Sequence, residues 1–312
     1  MRVGLALGAG GIAGGAWHAG ALAALADATG WDPRDAEVVV GTSAGSITGA
    51  TLRAGLGADD LFATATGRAL SSQGASLLSR VRTVDGFTVT PRPGGLPRPA
   101  NPLLLRSLAS VNPRPMVALA GLLPAGAVDP SFIARRVEEL AGGPGWPAAT
   151  LWVAAVRLSD GRRVVFGRDD VAAALGAAVS ASCAIPGWFS PVEIGGRRYV
   201  DGGVHSTTNA DLLARLELDL VVVSAPMAGH WRSLRANASA LSRTSARVSL
   251  DREVAAIRRR GTEVLVLQPS PADTPLMDRR AMDPSSRRPV AEQARVSTLE
   301  GLATFPGPRP AP

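Results

Sequence analysis

Three consecutive valines, Val38–Val40, run straight into Gly41-Thr42-Ser43-Ala44-Gly45, and the residues beyond, Ile47–Leu52, read as helix. A short β-branched run of this kind is a buried strand. Gly-x-Ser-x-Gly between a strand and a helix is a nucleophile elbow, a tight turn that presents the serine over a helix N-terminus. The flanking glycines, Gly41 and Gly45, keep side chains away from the turn. The positive end of the helix dipole favours an oxyanion beside Ser43. In a chain with 35 glycines the pattern alone is weak, but its place between strand and helix favours a nucleophile over an ordinary turn.

The N-terminus repeats the same logic. Residues 2–7 read as a first buried strand, followed by Gly8-Ala9-Gly10-Gly11-Ile12-Ala13-Gly14-Gly15 and a helix from Ala16. Backbone N–H groups converging beside a helix N-terminus bind negative charge. Three readings of this loop compete. Gly8-x-Gly10-x-x-Ala13 satisfies a relaxed dinucleotide fingerprint, but the second strand closes in Gly41-Thr42-Ser43 rather than in the acid that would hold a ribose. The N–H groups of Gly10 and Gly11 could instead form an oxyanion hole facing Ser43. The loop could also carry no ligand. Adjacent parallel strands would bring both loops to one sheet edge, and the oxyanion reading uses both, so it is favoured. His18 falls within the helix and reads as a packing or capping residue.

Farther on, residues 52–70 read as continuing helix, with Asp59-Asp60 starting a second one. Residues 71–130 are rich in Pro and Gly, with apolar pieces between, and read as an insertion of short helices and loops over the sheet edge, a mobile cover or a surface loop. A capped helix follows Asp129-Pro130, then a strand at 151–156 with a hairpin partner at 163–166, and a helix at 170–181. Val192–Ile194 and the run to Asp201 form a hairpin across Gly195-Gly196. That hairpin delivers Asp201 into Gly202-Gly203, where it either approaches another residue's hydroxyl or bonds its own turn. A strand at 218–224, an Arg-rich helix at 232–260, a strand at 263–267, a helix at 290–303 and a tail at 306–312 complete the chain. Strands alternating with helices imply a three-layer α/β/α sandwich around a mostly parallel sheet. The expected organisation is one domain over 1–305, with core motifs in 3–213, the insertion, and a C-terminal part at 214–305.

A nucleophilic serine needs a base. Only His18, His205 and His230 are present. His205 is four residues from Asp201, poor geometry for a Ser-His-Asp triad, and His230 has no supporting motif. A dyad in which Asp201 takes the Ser43 proton needs no histidine.

Taken together, Leu7–Gly14, Gly41–Gly45, Ala181-Ser182-Cys183-Ala184-Ile185-Pro186-Gly187 and Asp201-Gly202-Gly203 resemble the patatin-like phospholipase family over about residues 3–213. The resemblance implies a lipid acyl hydrolase with Ser43 as nucleophile, Asp201 as general base and the Gly10/Gly11 amides as oxyanion hole. Gly8, Gly14, Gly41, Gly45, Gly202 and Gly203 complete its motifs. It implies a lipid ester substrate and requires neither metal nor cofactor. The chain departs from the family at Ala9, commonly glycine, and at Ala13, often basic, which bears on substrate choice more than on the dyad.

Composition sets the remaining bounds. All 33 basic residues are arginine, as a GC-rich genome would give, and the net charge is +7. That charge permits peripheral contact with an anionic membrane, while no motif points to nucleic acid. Cys183, the single cysteine, excludes an intramolecular disulfide framework and reads as a small buried hydrophobe. No window reads as a transmembrane span, and the N-terminus reads as strand, loop and helix rather than a cleaved signal. A cytoplasmic location is expected. Oligomeric state is not legible.

Overall fold

The computed structural model describes residues 1–82, 88–89, 99–109, 115–229, 240–278 and 281–311. His230, residues 232–239 of the expected Arg-rich helix and the Pro/Gly run at 90–98 lie outside them.

The strands are β1 (Val3–Leu7), β2 (Val38–Thr42), β3 (Thr88–Val89), β4 (Val128–Asp129), β5 (Thr150–Arg157), β6 (Arg163–Phe166), β7 (Val192–Ile194), β8 (Arg197–Asp201), β9 (Leu220–Ser224) and β10 (Glu263–Leu267). The helices are α1 (Gly11–Thr29), α2 (Ala44–Arg53), α3 (Ala58–Thr66), α4 (Ser72–Leu78), α5 (Pro115–Leu122), α6 (Ser131–Ala141), α7 (Leu175–Ser182), α8 (Ala240–Arg258), α9 (Thr274–Asp278) and α10 (Arg287–Thr304). The main sheet runs β10-β9-β1-β2-β5-β8-β7, with β6 also on β5, and β3 pairs with β4 apart from it. From β10 to β5 every pairing is parallel.

Parallel strands buried on both faces need apolar side chains at every position, divided between two cores. Val3, Leu5 and Leu7 point into one core with Val39, Leu220, Val222 and Leu265, against Trp17 and Leu22 of α1 and Ala291 of α10. Ala6, Val38, Val40, Val221, Val223 and Val264 point the other way, onto Leu250 and Ile257 of α8. Helices thus cover both faces, giving the three-layer α/β/α sandwich.

Several helix boundaries differ from the sequence reading, three of them informatively. Helix α1 starts at Gly11 rather than Ala16, with Ala13 N–H donating to the Ala281 carbonyl. Helix α2 ends at Arg53, and Gly55 turns the chain before α3, so 52–70 is not continuous. Helix α7 starts at Leu175 rather than Asp170, because Ala173 O accepts from Trp146 Nε1 and Leu175 N–H is taken by Pro144 O. For α1 and α7 tertiary partners outweigh local propensity, whereas the break before α3 is local to Gly55.

One detail of register positions the site. Along β5, Val38–Thr42 of β2 pair with Thr150–Ala154, and Tyr199–Asp201 of β8 pair with Arg157–Ala155. Strand β6 pairs with Val153–Val156, overlapping both. A strand has only two edges, so β6 holds one and β2 and β8 share the other. The ends of β2 and β8 therefore meet head to head at Ala154 and Ala155.

Candidate active site

That meeting point is where Ser43 and Asp201 stand, one residue past Thr42 and the last residue of β8. Ser43 has φ 53° and ψ −122°, a conformation worth about 1–3 kcal/mol of strain in a non-glycine residue. Two neighbours hold it there. Its N–H donates to Ser182 Oγ at 2.9 Å, and Ser182 Oγ donates in turn to Ala154 O at 2.7 Å. Its carbonyl accepts from Ser46 Oγ at 2.7 Å. Gly45 is required by contact, since a Cβ there would lie 2.0 Å from Leu7 O.

Asp201 is fixed from both ends. Its N–H donates to Ala184 O, and its Oδ1 accepts from Gly203 N–H at 2.7 Å. Gly202 behind it packs so closely on β5 that a Cβ would meet Ala154 O at 2.3 Å. Burial raises the Asp201 pKa from 3.8 to about 6, with hydrogen bonds from the Ser43 side chain and Gly203 N–H pulling the other way. Ser43 and Asp201 are only 4% and 5% exposed, so a reactant reaches Ser43 through a cavity rather than across the surface.

Each loop glycine has a defined place. Gly8 donates to Ser224 O, and its own carbonyl accepts from His18 Nε2 at 2.7 Å. A carbonyl cannot donate, so Nε2 carries the proton and Nδ1 accepts from Ser224 Oγ at 2.7 Å. Burial lowers the His18 pKa to about 4, keeping the ring neutral. His18 is thus a strut beneath the glycine loop, in line with its reading as a packing residue. Ala9 N–H donates to Thr207 O, Gly14 N–H to Gly10 O and Ala13 N–H to Ala281 O. Between them, the N–H groups of Gly10, Gly11 and Ile12 have no acceptor among the described residues.

A cavity of about 290 Å³ opens beside Ser43. Gly11 and Ile12 line it with Ser43, and Ile47, Leu61, Phe132, Val137 and Phe189 are among its apolar walls. No histidine among the described residues lines it; His205 follows the turn after Asp201 without entering the cavity wall. Cys183 does line it, buried beside Ser46 at 3.8 Å. Burial and the Asp201 charge push its thiol pKa up, so the sulfur stays protonated. Among the described residues no cluster of three His, Cys, Asp or Glu could hold a metal ion. No described helix is long and apolar enough to cross a membrane.

The sequence reading missed Ser182 and Ser46 as the groups that hold Ser43. The only signal was their company: Ser182 in the segment before Asp201, and Ser46 three residues into the helix after the elbow. Ser182→Ala would leave the buried Ser43 N–H and Ala154 carbonyl without that bridge, a loss of about 1–3 kcal/mol. Denaturant unfolding should show this destabilisation, together with a fall in kcat as Ser43 loosens.

The geometry agrees with the sequence comparison. The family model for patatin-like phospholipases matches residues 5–214, two thirds of the chain. The chain belongs to the patatin-like phospholipase family. Family members are lipid acyl hydrolases, enzymes of carboxylic ester bonds, and the matched span of this patatin-like chain holds Ser43, Asp201 and the glycine loop. No curated protein matches the sequence. Among solved structures, VipD from Legionella pneumophila aligns with 96% of the chain at 14% identity and a TM-score of 0.39. The chain spans 66% of that protein's length.

Proposed function

We propose that this patatin-like protein is a serine acyl hydrolase of phospholipids or related lipid esters, working through a Ser43-Asp201 dyad. The observation that carries the reading is the head-to-head meeting of β2 and β8, which brings Asp201 to Ser43, a residue lining an apolar cavity. Asp201 removes the Ser43 proton as Oγ attacks the ester carbonyl. The N–H groups of Gly10 and Gly11, which have no acceptor among the described residues, receive the negative charge that develops on the carbonyl oxygen. Collapse of the tetrahedral intermediate expels the alcohol, which takes the proton back from Asp201. Water then attacks the acyl-enzyme, with Asp201 again as base, releasing the fatty acid and restoring Ser43. The apolar cavity, at the small end of the about 300–1,000 Å³ typical of ligand sites, suits one acyl chain.

A raised carboxyl pKa serves this role, because a base is most effective when its pKa lies near the working pH. Asp201 must be ionised to accept the proton. The acid limb of the kcat/KM profile should therefore fall with an apparent pKa of about 6, above the ordinary carboxyl range. A fluorophosphonate should label the wild type at Ser43 and leave Ser43→Ala unlabelled. Absence of labelling, or an acid limb near pH 4, would count against the dyad. His205→Ala should retain ester hydrolysis; a loss as deep as that of Ser43→Ala would favour a triad instead.

A further inference from the structure

Isolated exposed apolar side chains are ordinary, but a cluster of them marks an interaction surface. Ten large hydrophobics are exposed among the described residues, and six of them, Leu103, Leu105, Leu108, Met116, Leu119 and Leu122, lie on two short helices of the insertion. One is the 3₁₀ helix Pro102–Ala109 and the other is α5. Their inner faces are anchored: Leu104, Val117 and Ala120 pack on Val156 and Leu158 of the β5 end and on Val200 and Val204 around Asp201. The outward leucines are therefore held in place by residues that flank Asp201.

The apolar surface continues toward the cavity. Trp188, a seventh exposed hydrophobic, follows Gly187, which lies against Leu123. The insertion is also hydrogen-bonded to this segment, Gly126 N–H to Phe189 O and Val128 N–H to Trp188 O. Phe189, the next residue, lines the cavity beside Ser43. Charge identifies the occupant. The two helices carry Arg106 and no Asp or Glu, and Arg106 is exposed among the outward leucines. Asp160, next to Gly161 that lies against Val117, is paired with Arg157, so Arg106 leaves the apolar face cationic, which complements an anionic bilayer. A subunit interface would instead be rimmed with mixed polar groups.

We propose that the outward face of Pro102–Ala109 and α5, with Trp188, docks this protein on an anionic lipid bilayer beside the cavity. The proposal rests on the lipid-hydrolase reading for its purpose, but docking itself does not require catalysis. It is tested by sedimentation with vesicles of phosphatidylcholine containing about 30% phosphatidylglycerol, using Ser43→Ala protein so that the lipid stays intact. Changing Leu103, Leu105, Leu108 and Leu119 together to Ser should weaken vesicle binding at least about tenfold, and Arg106→Glu by about fivefold. Circular dichroism should show the four-leucine variant folded. With Ser43 restored, it should hydrolyse a water-soluble monomeric ester within about twofold of wild type. Undiminished vesicle binding by the folded four-leucine variant overturns the proposal. So does a parent dimer, by sedimentation velocity, that these changes dissociate while vesicle binding stays the same. If wild type cleaves no ester, the hydrolase reading fails while the vesicle result still decides the docking.

Discussion

Asp201→Asn is expected to lower ester hydrolysis by about 10²- to 10⁴-fold, the range associated with loss of a positioned base, and at the same time to stabilise the fold at neutral pH. Both effects follow from one fact, a carboxylate buried where its pKa rises from 3.8 to about 6. In linkage terms, a carboxyl whose folded pKa is raised favours the folded state in its protonated form. Its contribution is fully present below about pH 4 and is lost as the pH rises to about 6. A shift of roughly two pKa units corresponds to about 3 kcal/mol. Asparagine keeps the shape, and its Oδ1 can still accept from Gly203 N–H, but it carries no charge to desolvate. Thermal unfolding of wild type and variant at pH 7.5 and pH 4 decides the point: the variant should melt higher at pH 7.5, with the gap closing at pH 4. Retained activity would remove Asp201 from the role of base. Lost activity with an unchanged melting point at both pH values would mean that hydrogen bonds fully offset the burial. The stabilising outcome would show that the active carboxylate is maintained at the expense of stability, as functional sites commonly are.

The two residues of the proposed dyad could be picked out in the sequence because each stands in a distinctive local setting. Ser43 ends a valine strand in a glycine turn, and Asp201 ends a hairpin strand in another. The alternating strands and helices gave the layered architecture equally directly, since a parallel sheet covered on both faces leaves uninterrupted apolar runs such as Val38–Val40 and Leu220–Val223. The way Ser43 and Asp201 are brought to one place was not legible. Nothing in Tyr199-Val200-Asp201 states that β8 takes the same edge of β5 as β2, because edge choice depends on where β6 pairs. The helix boundaries failed for a related reason. Gly11–Gly15 has poor helix propensity, yet α1 begins there, with the Ala13 N–H held by Ala281 from far along the chain. Asp170–Ala174 has adequate propensity, yet Trp146 and Pro144 occupy its backbone groups. Local pattern reports what a segment prefers; partners more than a hundred residues away decide some of its ends.

The glycines make the same point with the largest expected change in stability. Gly45 and Gly301 both lie in helices, α2 and α10, although the sequence reading put Gly45 in the elbow turn and only Gly301 in a helix. At Gly301 an added Cβ would meet nothing within 4 Å. Gly301→Ala is therefore expected to stabilise the protein by about 0.5–1 kcal/mol, the usual gain from alanine in an exposed helix. At Gly45 the added carbon would lie 2.0 Å from Leu7 O and 2.3 Å from Leu7 C. Neither atom is the end of a flexible side chain; both belong to the backbone of β1, paired on one side to β2 and on the other to β9. Relief would require α2 to lift from the sheet, taking the elbow and Ser43 with it. Gly45→Ala is expected to cost more than about 4 kcal/mol, the range reserved for severe overpacking. It should yield little soluble protein, or protein with a much lower denaturation midpoint and no fluorophosphonate labelling. A Gly45→Ala protein as stable as wild type would show that α2 does not sit this close to β1. The close packing that makes this substitution costly is also what holds Ser43 at the sheet edge, beside the glycine loop.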